Sequence, residues 1–166
     1  MKGSYSLIIK APKEAEIGAL GLKKFEEKYV VYNGSAFGPG GLKRVFRHFS
    51  SDKKIHWHID YLLEEGFLEA ALIFPEKDLE CELSQKMDKP VDGFGSSDCS
   101  CNSHLFQFAS FESAFQMISG EVSEMKVMDC DRYQQYKDSK GQYSKEDVLS
   151  KLPDAQTYKK GGDFGP

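Results

Sequence analysis

The sequence predicts a small mixed α/β (α+β) layered fold of order β-β-α-α-β-α, with a central sheet of about three strands flanked by helices. Three observations carry this. Residues 4–10, 25–33 and 67–74 are dense in β-branched, aromatic and other apolar residues, as strands are. Residues 42–49 repeat apolar side chains at three- and four-residue spacing (Leu42, Val45, Phe46, Phe49), and residues 78–87 do so at four (Leu79, Leu83, Met87). The 166-residue chain is 40% hydrophobic and 29% charged, an ordinary globular composition that buries a core without disulfide staples.

In chain order, the first strand stops at Pro12. Glu16 to Gly21 is a connector broken by glycines, with room for a short strand. The second strand, Phe25 to Asn33, ends at the turn dipeptide Asn33-Gly34. Gly38-Pro39-Gly40-Gly41 is a loop, and the first helix follows over 42–49. A second helix around Ile59–Leu63 ends at Gly66. The third strand closes at Pro75 and the third helix covers 78–87. Residues 88–104 read as a loop rich in Gly, Ser and Asp, and Leu105–Phe108 as a short last strand. The domain so drawn covers 1–108. Residues 109–166 read as an appendage with helical pieces at 113–118 and after Ser144, a capping residue, and with a disordered end from Lys159. Eight basic residues against ten acidic ones mark this segment as a possible docking arm for a protein partner.

No run of about 18 apolar residues is present, so no membrane span is expected, and the N-terminus lacks a signal peptide's apolar core. A cytoplasmic location is the expectation. The net charge of −4 disfavours a nucleic-acid partner, but residues 37–54 hold Lys43, Arg44, Arg47, Lys53 and Lys54 against a single acid, Asp52. A local basic patch can bind a phosphate backbone on an acidic protein.

Several blocks resemble a known family: Tyr29-Val30-Val31-Tyr32-Asn33-Gly34 running on to Leu42, Arg44-Val45-Phe46-Arg47-His48, His56-Trp57-His58-Ile59-Asp60-Tyr61-Leu62, Glu80-Cys81-Glu82-Leu83, and Phe94 to Leu105. Together with Gly3-Ser4-Tyr5 they resemble the GIY-YIG nucleases, in particular the Uri-like branch, across about residues 3–108. The 26 residues between Tyr5 and Tyr32 exceed the short hairpin usual in that superfamily. The resemblance implies a metal-dependent endonuclease acting on nucleic acid, DNA in preference to RNA, with a place in repair. It implies that Tyr5 and Tyr32 stand at the site, one of them as base for the attacking water, and that Arg44 steadies the scissile phosphate. A glutamate on the third helix would hold one Mg2+ or Mn2+. Glu80 and Glu82 compete for that place, and the apolar Leu83 three residues on favours Glu80.

The histidines and cysteines form a second constellation. His48, His56 and His58 lie near the basic helix, where His48 and His58 suit proton transfer and His56 suits phosphate contact. Trp57 can stack on a base, Lys43, Arg47, Lys53 and Lys54 can meet backbone phosphates, and Asp60 can orient a histidine. Cys81, Cys99, Cys101 and His104 are the number and type of ligand a structural Zn2+ takes, although Cys99-x-Cys101 is tighter than the usual spacing. Two further functions therefore stand beside the nuclease: a non-catalytic nucleic-acid-binding module and a zinc-stabilised interaction adaptor.

Overall fold

The computed structural model describes residues 1–95 and 100–160. Cys99 and most of the expected disordered end, residues 161–166, lie outside the described residues. Strand β1 (Gly3–Lys10) is the centre of the molecule. Tyr5, Leu7 and Ile9 face one side and Ser6 and Ile8 the other, and all are buried. A strand apolar on both faces requires a cover on each, and helical layers provide it.

β1 pairs antiparallel with β4 (Tyr29–Ala36) on one side and with β5 (Phe67–Pro75) on the other. β6 (Leu105–Phe108) extends the sheet beyond β4, and β7 (Lys126–Asp129) beyond β5. The order is β6-β4-β1-β5-β7. The insert between Tyr5 and Tyr32 folds into a separate two-stranded ribbon, β2 (Glu14–Glu16) and β3 (Leu22–Lys24), joined through a 3₁₀ turn at Gly18–Leu20.

One face of the sheet packs against α1 (Arg44–Phe49), α2 (His58–Glu65), α5 (Cys130–Asp138) and α6 (Lys145–Lys151), around Leu7, Ile9, Val30, Leu42, Phe46, Ile59, Leu62, Ile73 and Phe94. The other packs against α3 (Glu80–Lys86) and α4 (Phe111–Glu121), around Ile8, Val31, Leu72, Phe74, Leu83 and Ile118. Each fully buried leucine, isoleucine or phenylalanine contributes about 1.5–3 kcal/mol over its exposed state, so both covers matter to stability.

Three differences from the expected architecture have physical causes. Asn33-Gly34 is not a turn: β4 runs on to Ala36 because β1 needs partners as far back as Gly3, which pairs with Ala36. At the other end β4 begins at Tyr29 rather than Phe25, opposite Lys10, where β1 stops. The sheet has five strands rather than about three, and one of them, β7, comes together with α5 from the segment read as an appendage. β7 is four residues long with Lys126 and Asp129 at its ends, and so lacks an apolar alternation in the sequence. α5 has few apolar residues, and the Asp129 carboxylate that caps it accepts from the Arg132 amide at 2.9 Å. The segment after Phe108 therefore completes the sheet and closes the core, with Val148, Leu149 and Leu152 buried. The Ser144 cap of α6 falls where expected, its side chain accepting from the Asp147 amide.

Candidate functional site

The first wall of the site is built on β1, β4 and α1. Tyr5 lies opposite Gly34 in register, and a Cβ at Gly34 would stand 2.5 Å from the Tyr5 ring. Glycine at 34 is thus the condition for the ring's position. The Tyr5 hydroxyl is 2.8 Å from His48 Nε2. His48 follows Arg44 by four residues, so both project from the same side of α1. Arg44 Nη1 donates to the Ser35 carbonyl at 3.2 Å, and its guanidinium carbon lies 5.4 Å from the Trp57 ring centre. Tyr32 stands edge-on to His48 and to Phe94.

Tyr5 and His48 are each only 3% exposed. Burial raises the Tyr5 hydroxyl well above the ordinary tyrosine value; nearby Tyr32 adds to this and Arg44 opposes it. Burial also pushes His48 down to about 3, so its ring is neutral near pH 7. His48 Nδ1 is buried with no hydrogen-bond partner among the described residues.

The second wall comes from α3 and the segment before β6. Glu80 opens α3, and Ser84 Oγ donates to the Glu80 carbonyl at 2.8 Å. Asn33, fully buried, joins the walls. Its amide nitrogen donates to Ser84 Oγ at 3.1 Å and its amide oxygen accepts from Ser6 at 2.6 Å. Its backbone N–H donates to the His104 carbonyl, and its own carbonyl is 3.2 Å from His104 Nδ1. A carbonyl only accepts, so His104 carries its hydrogen on Nδ1. Glu80 Oε2 is 3.9 Å from the same nitrogen. The Gly95 amide donates to His58 Nδ1 at 2.8 Å, which leaves the neutral ring with its hydrogen on Nε2, as a donor. Burial lowers His58 and, more deeply placed, His104 below the ordinary histidine value.

Between the walls is a cavity of about 360 Å³ that brings together Tyr5, Tyr32, Arg44, His48, His56, Trp57, His58, Glu80 and His104. Trp57, 40% exposed, stands at its rim. Other expected site residues are placed elsewhere. Glu82 is exposed and does not line the cavity, so Glu80 is the carboxylate that faces it. Arg47 gives its planar fork to Asp60 at 2.7 and 2.8 Å and to the Lys54 carbonyl, which makes it a brace rather than a free phosphate contact. Asp60 holds Arg47 and accepts from the backbone amides of His56 and Trp57, and so orients no histidine. Burial works to raise the Asp60 carboxyl, but these hydrogen bonds outweigh it and the net shift is downward. Lys43 pairs with Glu146 at 3.6 Å, and Lys53 donates to the Ser50 carbonyl. Neither these lysines nor Lys54 lines the cavity.

Among the thiols, Cys81 and Cys101 meet His104, with ligand atoms of all three within 4.8 Å of one another. Sequence reasoning passed over Ser6, Asn33, Ser84 and Gly95 as site-building residues. The available signal was polar side chains at Ser6 and Asn33 within strands rich in apolar residues.

A layered α+β domain with a polar cavity at one end of a five-stranded sheet is the class of protein these features define. The chain matches the family described as "Domain of unknown function DUF123" over residues 4–127, and it belongs to that family. The match runs past Phe108 and through β7's first two residues. No curated protein and no solved structure matches the chain. Among the described residues no helix is long and apolar enough to cross a membrane.

Proposed function

We propose that this protein is a metal-dependent endonuclease that hydrolyses phosphodiester bonds of nucleic acid, DNA in the first place, as its resemblance to the GIY-YIG nucleases implies. The observation that carries the reading is the convergence of Tyr5, Tyr32, Arg44 and Glu80, from four separate elements of the chain, on one cavity of about 360 Å³.

The chemistry follows from the groups present. Arg44 offers a planar, permanently charged fork suited to phosphate oxygens. The Tyr5 hydroxyl can take a proton from an attacking water as its own passes to His48 Nε2, 2.8 Å away. As the water oxygen bonds to phosphorus, the bond to the leaving oxygen breaks, and His58 Nε2–H is a donor for that oxygen. Neutral His48 and a high Tyr5 pKa keep this pair in the hydroxyl–imidazole form until charge from a bound substrate acts on it. Trp57 at the rim supports an adjoining base by stacking. The donor set fits one divalent cation, because magnesium takes only one or two carboxylates and Glu80 is the carboxylate on the cavity. When bound, such an ion supplies charge stabilisation at the phosphate.

The net charge of −4 and the buried, protonated Tyr5 favour one other reading, a metal-independent nucleic-acid-binding module. Plasmid nicking with and without Mg2+ or Mn2+ separates the two. The wild type is expected to nick only with metal, and Arg44→Ala and Glu80→Ala to lose about 10²–10³-fold. Arg44→Ala should cost less than about 1.5 kcal/mol of stability, since it removes one carbonyl hydrogen bond and a contact with the half-exposed Trp57 ring. Equal nicking by wild type and both variants sinks the assignment, and no nicking of any substrate leaves the binding module.

A further inference from the structure

We propose that Cys81, Cys101 and His104 form a binding site for one zinc(II) ion at the edge of the cavity, a proposal that does not rest on the nuclease reading. The three come from two stretches about twenty residues apart: Cys81 from the first turn of α3, Cys101 and His104 from the segment entering β6. Their ligand atoms nevertheless lie within 4.8 Å of one another. Tetrahedral zinc with bonds of about 2.0–2.3 Å holds its ligands about 3.5–3.8 Å apart, so a contraction of roughly 1 Å closes the site.

The chemistry of the donors selects the ion. Two thiols and an imidazole are soft and borderline ligands, which suit zinc and disfavour magnesium or calcium. The imidazole is already oriented. The Asn33 carbonyl accepts from Nδ1 of His104, which fixes the tautomer with the lone pair on Nε2. A backbone carbonyl behind a ligating histidine is the usual outer-shell arrangement at zinc. Asn33 is itself held by Ser6 and Ser84, so the support behind the ligand is rigid. His104 is buried and both thiols are half-buried, which shields the site from bulk water. Three donors among the described residues leave one tetrahedral position for water or a further donor. Because Cys81 adjoins Glu80, an ion here ties the start of α3 to the chain entering β6.

The test uses the full chain, purified under reducing conditions. Zinc bound per chain is measured by elemental analysis, and cobalt(II) is titrated into the metal-free protein as a spectroscopic probe. The expected results are close to one zinc per chain, a thiolate-to-cobalt charge-transfer absorption, and displacement of cobalt by zinc. Cys81→Ser, Cys101→Ser and His104→Gln should each lose stoichiometric zinc, whereas Cys130→Ser, at the start of α5, should keep it. Circular dichroism reports whether each variant folds, and if one does not, the wild-type cobalt titration decides alone. Cobalt binding without a thiolate band, or zinc content unchanged in all three ligand variants, overturns the proposal. Neither readout depends on nuclease activity.

Discussion

The two walls of the cavity are built in different ways. The Tyr5–His48–Arg44 wall rests on a central strand and a helix that follows a short 3₁₀ turn, with its key hydrogen bond buried at 3% exposure of either partner. Nothing beyond the protein is needed to hold it. The Glu80–His104 wall depends on a long connection between α3 and β6, and gathers soft ligands that share a corner. The first is preorganised by packing; the second is arranged so that a bound ion would fasten it. Asn33 is the residue common to both, because it lies on β4 and accepts from Ser6 of β1, while its amide nitrogen reaches α3 and its backbone pairs with His104. The lesson is that one buried polar residue in a strand can coordinate two unlike surfaces.

The first wall is most vulnerable at Gly34. Gly34→Ala drives a methyl group into the Tyr5 ring, whose far side is packed. A loss of about 1–3 kcal/mol is expected from urea unfolding, together with displacement of Tyr5 and loss of nicking. Stability equal to wild type would mean that the first wall is softer than its burial indicates.

His48 offers a sharper probe of the same wall. Its folded pKa, about 3, lies below the ordinary 6.5, so its stabilising contribution is complete above about pH 6.5 and is lost as pH falls towards 3. One proton changes stability by up to about 1.4 kcal/mol per pH unit over that window. Unfolding measured from pH 7 to pH 5 should show this slope, and His48→Gln should flatten it. An unaltered slope in the variant would remove His48 as its source.

The smallest effect is expected at Glu82. Although it stands two residues from Glu80, it is exposed and off the cavity. Glu82→Gln should change stability by no more than about 0.5 kcal/mol and leave metal-dependent nicking intact. A loss matching that of Glu80→Ala would reassign the carboxylate.

Much of this architecture was legible in the residues. β1, β5, α1, α2 and α3 follow from apolar runs and helical spacing, and Ser144 marks α6 by its cap. Leu83 and Met87 dock α3 against the sheet, and Glu80, preferred over Glu82 on the resemblance of Leu83 to the family's apolar position, lies on their side of the helix. β7 and α5 were not legible, because their apolar residues are few and their stability comes from pairing with β5 and from the Asp129 cap. The Asn33-Gly34 dipeptide misled for a related reason. A turn signal is local, and the pairing of β1 with β4 overrode it.

The sequence alone determined the two-faced strands, the helices that cover them and the kinds of side chain available for chemistry, since these depend on local spacing and composition. Tertiary structure decided which of them meet. Arg44 and Arg47 are three residues apart on one helix, yet only the arrival of Asp60 from α2 ties up Arg47 and leaves Arg44 on the cavity. Cys81 and Cys101 become neighbours only because α3 and the β6 strand return to the same end of the sheet. Long-range pairing of this kind is set by the packing of whole elements, and no window of sequence contains it.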